Sequence, residues 1–209
     1  MLIQVENVSK QSKGQIVLDN ISFYLEKGKC YGFVGTNGSG KTMLFRALCG
    51  FLHLDSGKVV INGQQIGKNI DFIQNAGVII GEPQFLNHLS GLENLTALAQ
   101  IKKLINEKEV LDALQVVGLL SEKDKKVSKY SLGMKQRLRI AQAIMENPDI
   151  LLLDEVFNGL DKDGTKQIQQ LLLEYKQQGK TILLTSHDER NVELLCDEVF
   201  EMENGRIIF

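Results

Sequence analysis

Apolar residues follow two rhythms along this chain, and the change from one to the other sketches its architecture. Short, nearly unbroken apolar runs at Gly77–Ile80, Ile150–Leu153 and Thr181–Leu184 read as strands buried on both faces, as in a parallel sheet. Cys30–Val34, Ile16–Leu25 and Val199–Met202 add further strands. The start, Met1-Leu2-Ile3-Gln4-Val5-Glu6, alternates like a half-buried strand that runs on to Val8. Val59-Val60-Ile61 precedes Asn62-Gly63, a two-residue hairpin turn. Elsewhere the spacing becomes helical. Met43, Leu44, Ala47 and Leu48 form a stripe on a helix over Lys41–Cys49, and Val110, Leu111, Ala113, Leu114 and Val117 mark another within a helical stretch from about Ser90 to Glu146. Helices over Lys162–Gln178 and Glu189–Leu195 separate the last strands. Asn204-Gly205 turns the chain into a final strand, Arg206–Phe209, after which no regulatory domain is expected. The sum is an α/β protein with a largely parallel sheet and a helical insertion.

A length of 209 residues fits one domain with a real core. The net charge of −2, from 24 basic and 26 acidic residues, gives no nucleic-acid footprint, so no nucleic-acid partner is expected. No apolar run approaches the roughly 20 residues of a membrane span, and the N-terminus lacks the basic start and apolar centre of a signal peptide. The three cysteines, Cys30, Cys49 and Cys196, lack zinc or redox spacing and read as buried small hydrophobes.

Gly35-Thr36-Asn37-Gly38-Ser39-Gly40-Lys41-Thr42 fits GxxxxGK[ST] between a strand and a helix, the context a phosphate loop requires. Its glycines let amides point inward at phosphate oxygens, Lys41 adds a full charge, and the Thr42 hydroxyl can ligate Mg²⁺. Ile150–Leu153 ends in Asp154-Glu155, two carboxylates at the C-terminal edge of the sheet. Asp154 suits a Mg²⁺ ion, and Glu155 is then free to orient or deprotonate water. A second buried strand ends in Ser186-His187-Asp188, with His187 placed to reach the γ-phosphate or that water. His53 and His88 have no such context and read as surface residues.

Ser131 precedes a helix whose Met134, Leu138, Ala141 and Met145 recur every three or four residues until Asn147-Pro148 stops it. Ser131 is thus an N-cap. Gly133 also permits close backbone approach where free amides and the helix dipole favour an anion, which makes this a second phosphate-binding segment.

With these motifs in this order the chain resembles the ATP-binding cassette (ABC) ATPases over nearly its whole length. Ser131-Leu132-Gly133-Met134-Lys135-Gln136 is similar to their signature motif, in the variant of bacterial exporters of the bacitracin-resistance and ABC-2 type. Asn158-Gly159-Leu160-Asp161 is similar to their D-loop, and Glu155 and His187 fall at the catalytic glutamate and switch histidine. The resemblance implies a P-loop NTPase ABC cassette: a mostly parallel core with an antiparallel β subdomain (1–84 and 147–209) and an inserted helical subdomain (85–146) carrying the signature. It implies ATP and Mg²⁺ as cofactors and a head-to-tail homodimer or heterodimer. Each ATP then lies between one subunit's Gly35–Thr42 and the other's Ser131 segment. It also implies a separate transmembrane permease, which holds the cassette at the inner face of the cell membrane for export. A soluble single-cassette ATPase and a nucleotide-gated module with weak hydrolysis are the alternatives. Kinases and GTPases leave Ser131–Arg137 unexplained, and no N-K-x-D motif occurs.

Three positions depart from the family pattern. The glutamine that follows the strand Gly77–Ile80 aligns with Gly81, with Glu82 or Gln84 as substitutes within the loop. The adenine-stacking aromatic aligns near Ser12, and Val156 replaces a proline.

Overall fold

The structure is a computed structural model that describes residues 1–82 and 85–208. Strands β1 (Ile3–Ser12) and β2 (Gln15–Leu25) form a long antiparallel hairpin, and β3 (Cys30–Val34) leads through the glycine loop into α1 (Lys41–Cys49). Next come β4 (Ser56–Ile61), β5 (Gln64–Gln65) and β6 (Ala76–Ile79). The helical stretch holds α2 (Gly91–Lys102), α3 (Glu107–Val116) and α4 (Leu132–Ile144), with short 3-10 turns at Leu120–Glu122 and Val127–Lys129. The chain then alternates β7 (Ile150–Leu153), α5 (Lys162–Gln177), β8 (Thr181–Thr185), α6 (Glu189–Leu195), β9 (Glu198–Glu203) and β10 (Arg206–Ile207).

Two sheets result. The larger runs β10-β9-β3-β8-β7-β6 and is parallel except for its terminal β9–β10 hairpin. The smaller runs β2-β1-β4-β5 and is antiparallel. Successive side chains of a buried strand point to opposite faces, so each central strand feeds two cores. Tyr31, Phe33, Ile150, Leu152 and Leu183 pack with residues of α1 and the antiparallel sheet. Cys30, Leu151, Leu153, Ile182 and Leu184 pack with residues of α2 to α6. Burying each such side chain is worth about 1.5–3 kcal/mol, which is why these strands tolerate no polar interruption.

The helices start where short-range chemistry stops the preceding loop. Ser90 with Glu93 and Asn106 with Glu109 form capping boxes on α2 and α3, each satisfying two otherwise orphaned amides. Asn62-Gly63 and Asn204-Gly205 both take the left-handed conformation that a tight hairpin demands. The first strand departs from the sequence expectation: β1 continues past Val8 to Ser12 and turns at Lys13-Gly14. Its outer half is polar and reveals no alternation, because the β1–β2 ladder holds it there and the register shifts after Val5 and Val8. The last strand ends at Ile207 and Phe209 lies outside the described residues.

Beneath the glycine loop lies an aromatic cluster. Phe33 stacks on Phe200 with ring centroids 5.1 Å apart and meets the edge of Phe45 at 5.5 Å. Phe33 is therefore the brace between β3, α1 and β9. Phe33→Ala is expected to cost about 3–5 kcal/mol of folding stability, whereas Phe51→Ala, at an exposed position, is expected to stay within about 0.5 kcal/mol. Urea unfolding of the two variants measures the contrast.

Candidate active site

β3 delivers the chain to Gly35 in a conformation no other residue adopts easily: φ is 143°, and an added Cβ would lie 2.2 Å from the Met202 carbonyl. The loop then wraps its own lysine. Lys41 is buried, and its Nζ donates to the carbonyls of Gly35 (2.8 Å) and Thr36 (2.9 Å) and to Ser39 Oγ (3.4 Å). The first amides of α1 have no intrahelical acceptor, and no acidic residue occupies its first turn. The loop therefore presents a concentration of positive character to an anion.

β7 brings Asp154 to the same place. Asp154 is buried, with Oδ2 accepting from the Thr42 hydroxyl at 2.7 Å and Oδ1 from the Thr185 hydroxyl at 2.8 Å. A hydroxyl and a carboxylate in contact form a hard-oxygen pair of the kind Mg²⁺ takes from protein, with phosphate and water completing its shell. Among the described residues no group of three or more acidic, histidine or cysteine side chains makes a closed metal cage. An open pair beside a phosphate loop fits a metal that arrives with its nucleotide.

Glu155, the next residue, is strained and under-satisfied. Its φ of 53° is left-handed, which costs a residue with a side chain about 1–2 kcal/mol. The turn is held by its amide donating to Thr185 Oγ1 at 2.8 Å and by the Asp154 amide donating to the Ile79 carbonyl at 2.8 Å. Glu155 Oε1 lies 2.8 Å from His187 Nε2, while Oε2 is buried without a hydrogen-bond partner among the described residues. Loss of solvation raises the carboxyl above its ordinary value; His187 opposes this and the neighbouring Asp154 charge adds to it. A carboxylate with one oxygen oriented and one left open is equipped to take a hydrogen bond or a proton from water.

Gly35 to Thr42, Asp154, Glu155 and His187 thus converge at the C-terminal edge of the parallel sheet. The Ser131 segment does not join them: among the described residues no hydrogen bond links Ser131 to the phosphate loop. Ser131 caps α4, its Oγ accepting from the Met134 amide at 3.2 Å, and both Ser131 and Leu132 are exposed. A Cβ on Gly133 would come within 2.9 Å of the Gly159 carbonyl, so the start of α4 presses on the Asn158–Asp161 loop. Met134 and Lys135 are half-buried, and Gln136 turns inward to the Val156 carbonyl at 2.7 Å. Asp161 caps α5, accepting from the Gly164 amide at 2.8 Å, with Arg137 at 3.8 Å.

The departures from the family pattern also have places. Gly81 adopts a left-handed φ of 70° and its carbonyl accepts from Arg139; Glu82 is exposed, and Gln84 lies outside the described residues. Ser12 is exposed at the end of β1, and Val156 is fully buried. His53 and His88 are exposed. Cys30 and Cys49 are buried and Cys196 half-buried, all reduced, and burial pushes the Cys49 thiol up to about 12. Sequence reasoning missed Thr185 and Gln136 as supports of the Glu155 turn. The local signal for Thr185 is a hydroxyl at the end of β8.

A glycine loop between a central parallel strand and a helix, faced by a buried acid from a nearby strand end, defines a nucleoside-triphosphate-binding P-loop protein. The family profile described as ABC transporter matches residues 18–158. The uncharacterized ABC transporter ATP-binding protein YybJ of Bacillus subtilis (strain 168) is 47% identical over 206 residues, covering 99% of this chain and 94% of that protein. The bacitracin transport ATP-binding protein BcrA of Enterococcus faecalis is 39% identical over 209 residues, covering 99% of this chain and 68% of that protein. In fold, a dimeric bacterial ABC transporter cassette matches with a TM-score of 0.89 at 23% identity, over 100% of this chain and 97% of the other. The chain belongs to the ABC transporter family, as an ATP-binding cassette of its ATPase class.

The Glu155 environment sets a pH dependence. The ordinary glutamate value is 4.5, and the folded carboxyl lies above it. In the window above that value the native state holds a proton the unfolded state has released, so this group's contribution to stability falls as pH rises. Glu155→Gln removes the loss. The variant is expected to exceed wild type in stability at about pH 8, with the gap closing by about pH 4. Urea unfolding at both pH values measures it.

Proposed function

We propose that this chain is the ATP-hydrolysing subunit of an export transporter, working as a dimer around two ATP molecules and driving a separate transmembrane permease. The reading rests on one observation above all: Glu155, strained and half-satisfied, stands beside the Thr42–Asp154 pair at the mouth of the phosphate loop. In this reading Gly35 to Thr42 hold the phosphates, with Lys41 exchanging its loop carbonyls for phosphate oxygens. Thr42 and Asp154 hold Mg²⁺, whose chemistry there is to neutralise phosphate charge. Glu155 takes a proton from the attacking water, and His187 orients the Glu155 carboxylate through Oε1.

The exposed start of α4 supports the dimer. Ser131, Leu132 and Gly133 offer a solvent-facing helix N-terminus with no acidic residue in its first turn. Such a terminus suits the terminal phosphate of a nucleotide held by another copy. Met134, Lys135 and Gln136 root that surface in the core, and Asp161 fixes the adjoining loop. Residues 85–146 act as a helical subdomain carrying the segment. Transport is supported by the relatives, one of which is a bacitracin transport ATP-binding protein; the export direction is carried over from the resemblance of the Ser131 segment. Among the described residues no helix is long and apolar enough to cross a membrane, so the transport path falls to the permease, which would hold the cassette at the cytoplasmic face.

Glu155→Gln tests the reading. The variant is expected to release phosphate at least ~10²-fold more slowly and to elute as a dimer from size-exclusion chromatography at millimolar Mg-ATP. Elution as monomer alone, or turnover at the wild-type rate, contradicts it.

A further inference from the structure

Arg139 is a charged residue of α4 that the site described above does not use. It is half-buried and reaches back toward the end of β6. Its Nη2 donates to the Gly81 carbonyl, and its Nη1 donates to Gln136 Oε1 at 3.1 Å. Gln136 passes the connection on: its Nε2 donates to the Val156 carbonyl at 2.7 Å and reaches the Glu155 carbonyl at 3.4 Å. A continuous polar chain thus runs from the loop after β6, through one turn of α4, to the backbone of the strained Glu155 turn. The guanidinium keeps company with the site electrostatically as well. Burial pulls it below the ordinary arginine value, and the Asp154 carboxylate opposes that shift.

The choice of residue has a physical reason. Gly81 has no side chain to reach across to the Glu155 turn, and Glu82 is exposed. The connection among the described residues is made from the other side. Arginine's rigid fork can hold two acceptors at once, which a lysine ammonium on a flexible stem does less well. Gln136 is fully committed too: its amide nitrogen serves the turn and its oxygen is left for Arg139.

We propose that Arg139 is a positioning residue for hydrolysis, acting through Gln136 to hold the Glu155–Val156 turn and to tie it to the Gly81 loop. The inference rests on Glu155 being the water-activating carboxylate. In the nucleotide cycle, a shift of the Gly81 loop or of α4 then reaches Glu155 by a direct mechanical path. No contact between Arg139 and the nucleotide is needed.

The test is steady-state phosphate release from Mg-ATP by the full chain, with thermal unfolding recorded for every variant. Arg139→Met keeps the stem and removes the fork; it is expected to lower kcat about tenfold while KM for ATP stays within about twofold. Arg139→Lys is expected to recover only part of the loss. Because Arg139 acts through Gln136, the double variant Q136A/R139M is expected to be no slower than Gln136→Ala alone. Wild-type kcat in Arg139→Met, or losses that multiply in the double variant, overturns the proposal. So does a lowered melting temperature that accounts for the whole loss, with kcat per folded molecule unchanged. A wild-type chain without turnover would instead contradict the proposed function itself.

Discussion

Asp154 is buried, with one oxygen on the Thr42 hydroxyl at 2.7 Å and the other on the Thr185 hydroxyl at 2.8 Å. A buried carboxylate is costly unless its oxygens are satisfied, so this pair of bonds constrains more than one residue. Thr42 belongs to α1, Asp154 follows β7, and Thr185 ends β8. The three elements can differ in register by little without stranding the acid. The distance from the phosphate loop to the acidic strand end is thereby fixed before any nucleotide arrives. Preorganisation of this kind avoids reorganisation during the reaction.

Glu155 inherits its geometry from the same constraint. The Thr185 oxygen that donates to Asp154 also accepts the Glu155 amide. One hydroxyl therefore sets the proposed metal-side carboxylate and the backbone of the proposed base together. The cost is a left-handed backbone and a buried oxygen without a partner, a pattern of strain expected where the surroundings over-determine a functional turn. Gln136 adds a second support from α4. The helix that carries Ser131 outward is thus anchored on the turn that carries Glu155, which links the proposed partner-facing surface to the proposed base.

What the sequence made legible was local. The phosphate loop is contiguous, Ser131 caps the helix it begins, and four apolar residues before Asp154 announce a buried strand. What it hid was distant pairing. Thr185 meets Asp154 across 31 residues, Gln136 meets Val156 across 20, and Arg139 meets Gly81 across 58. No single helix or strand contains both members of any of these pairs. Gly81 shows the limit clearly: its missing side chain is visible in the sequence, but the residue that spans the gap lies on another element. The outer half of β1 was hidden for a different reason, since its polar residues are held by ladder hydrogen bonds rather than burial.

In the proposed dimer each active site is shared between two copies, one giving Gly35 to Thr42 and Glu155, the other giving Ser131. A mixture of two inactive variants separates a shared site from a self-contained one. Lys41→Ala disables a phosphate loop and Ser131→Arg blocks a signature segment, so neither variant alone should release phosphate appreciably. In an equimolar mixture half of the dimers pair one of each, and every such dimer has one site with both halves intact. The mixture is therefore expected to regain about a quarter of the wild-type rate. A mixture that stays inactive, or a Ser131→Arg variant that hydrolyses ATP at the wild-type rate by itself, would contradict the shared site.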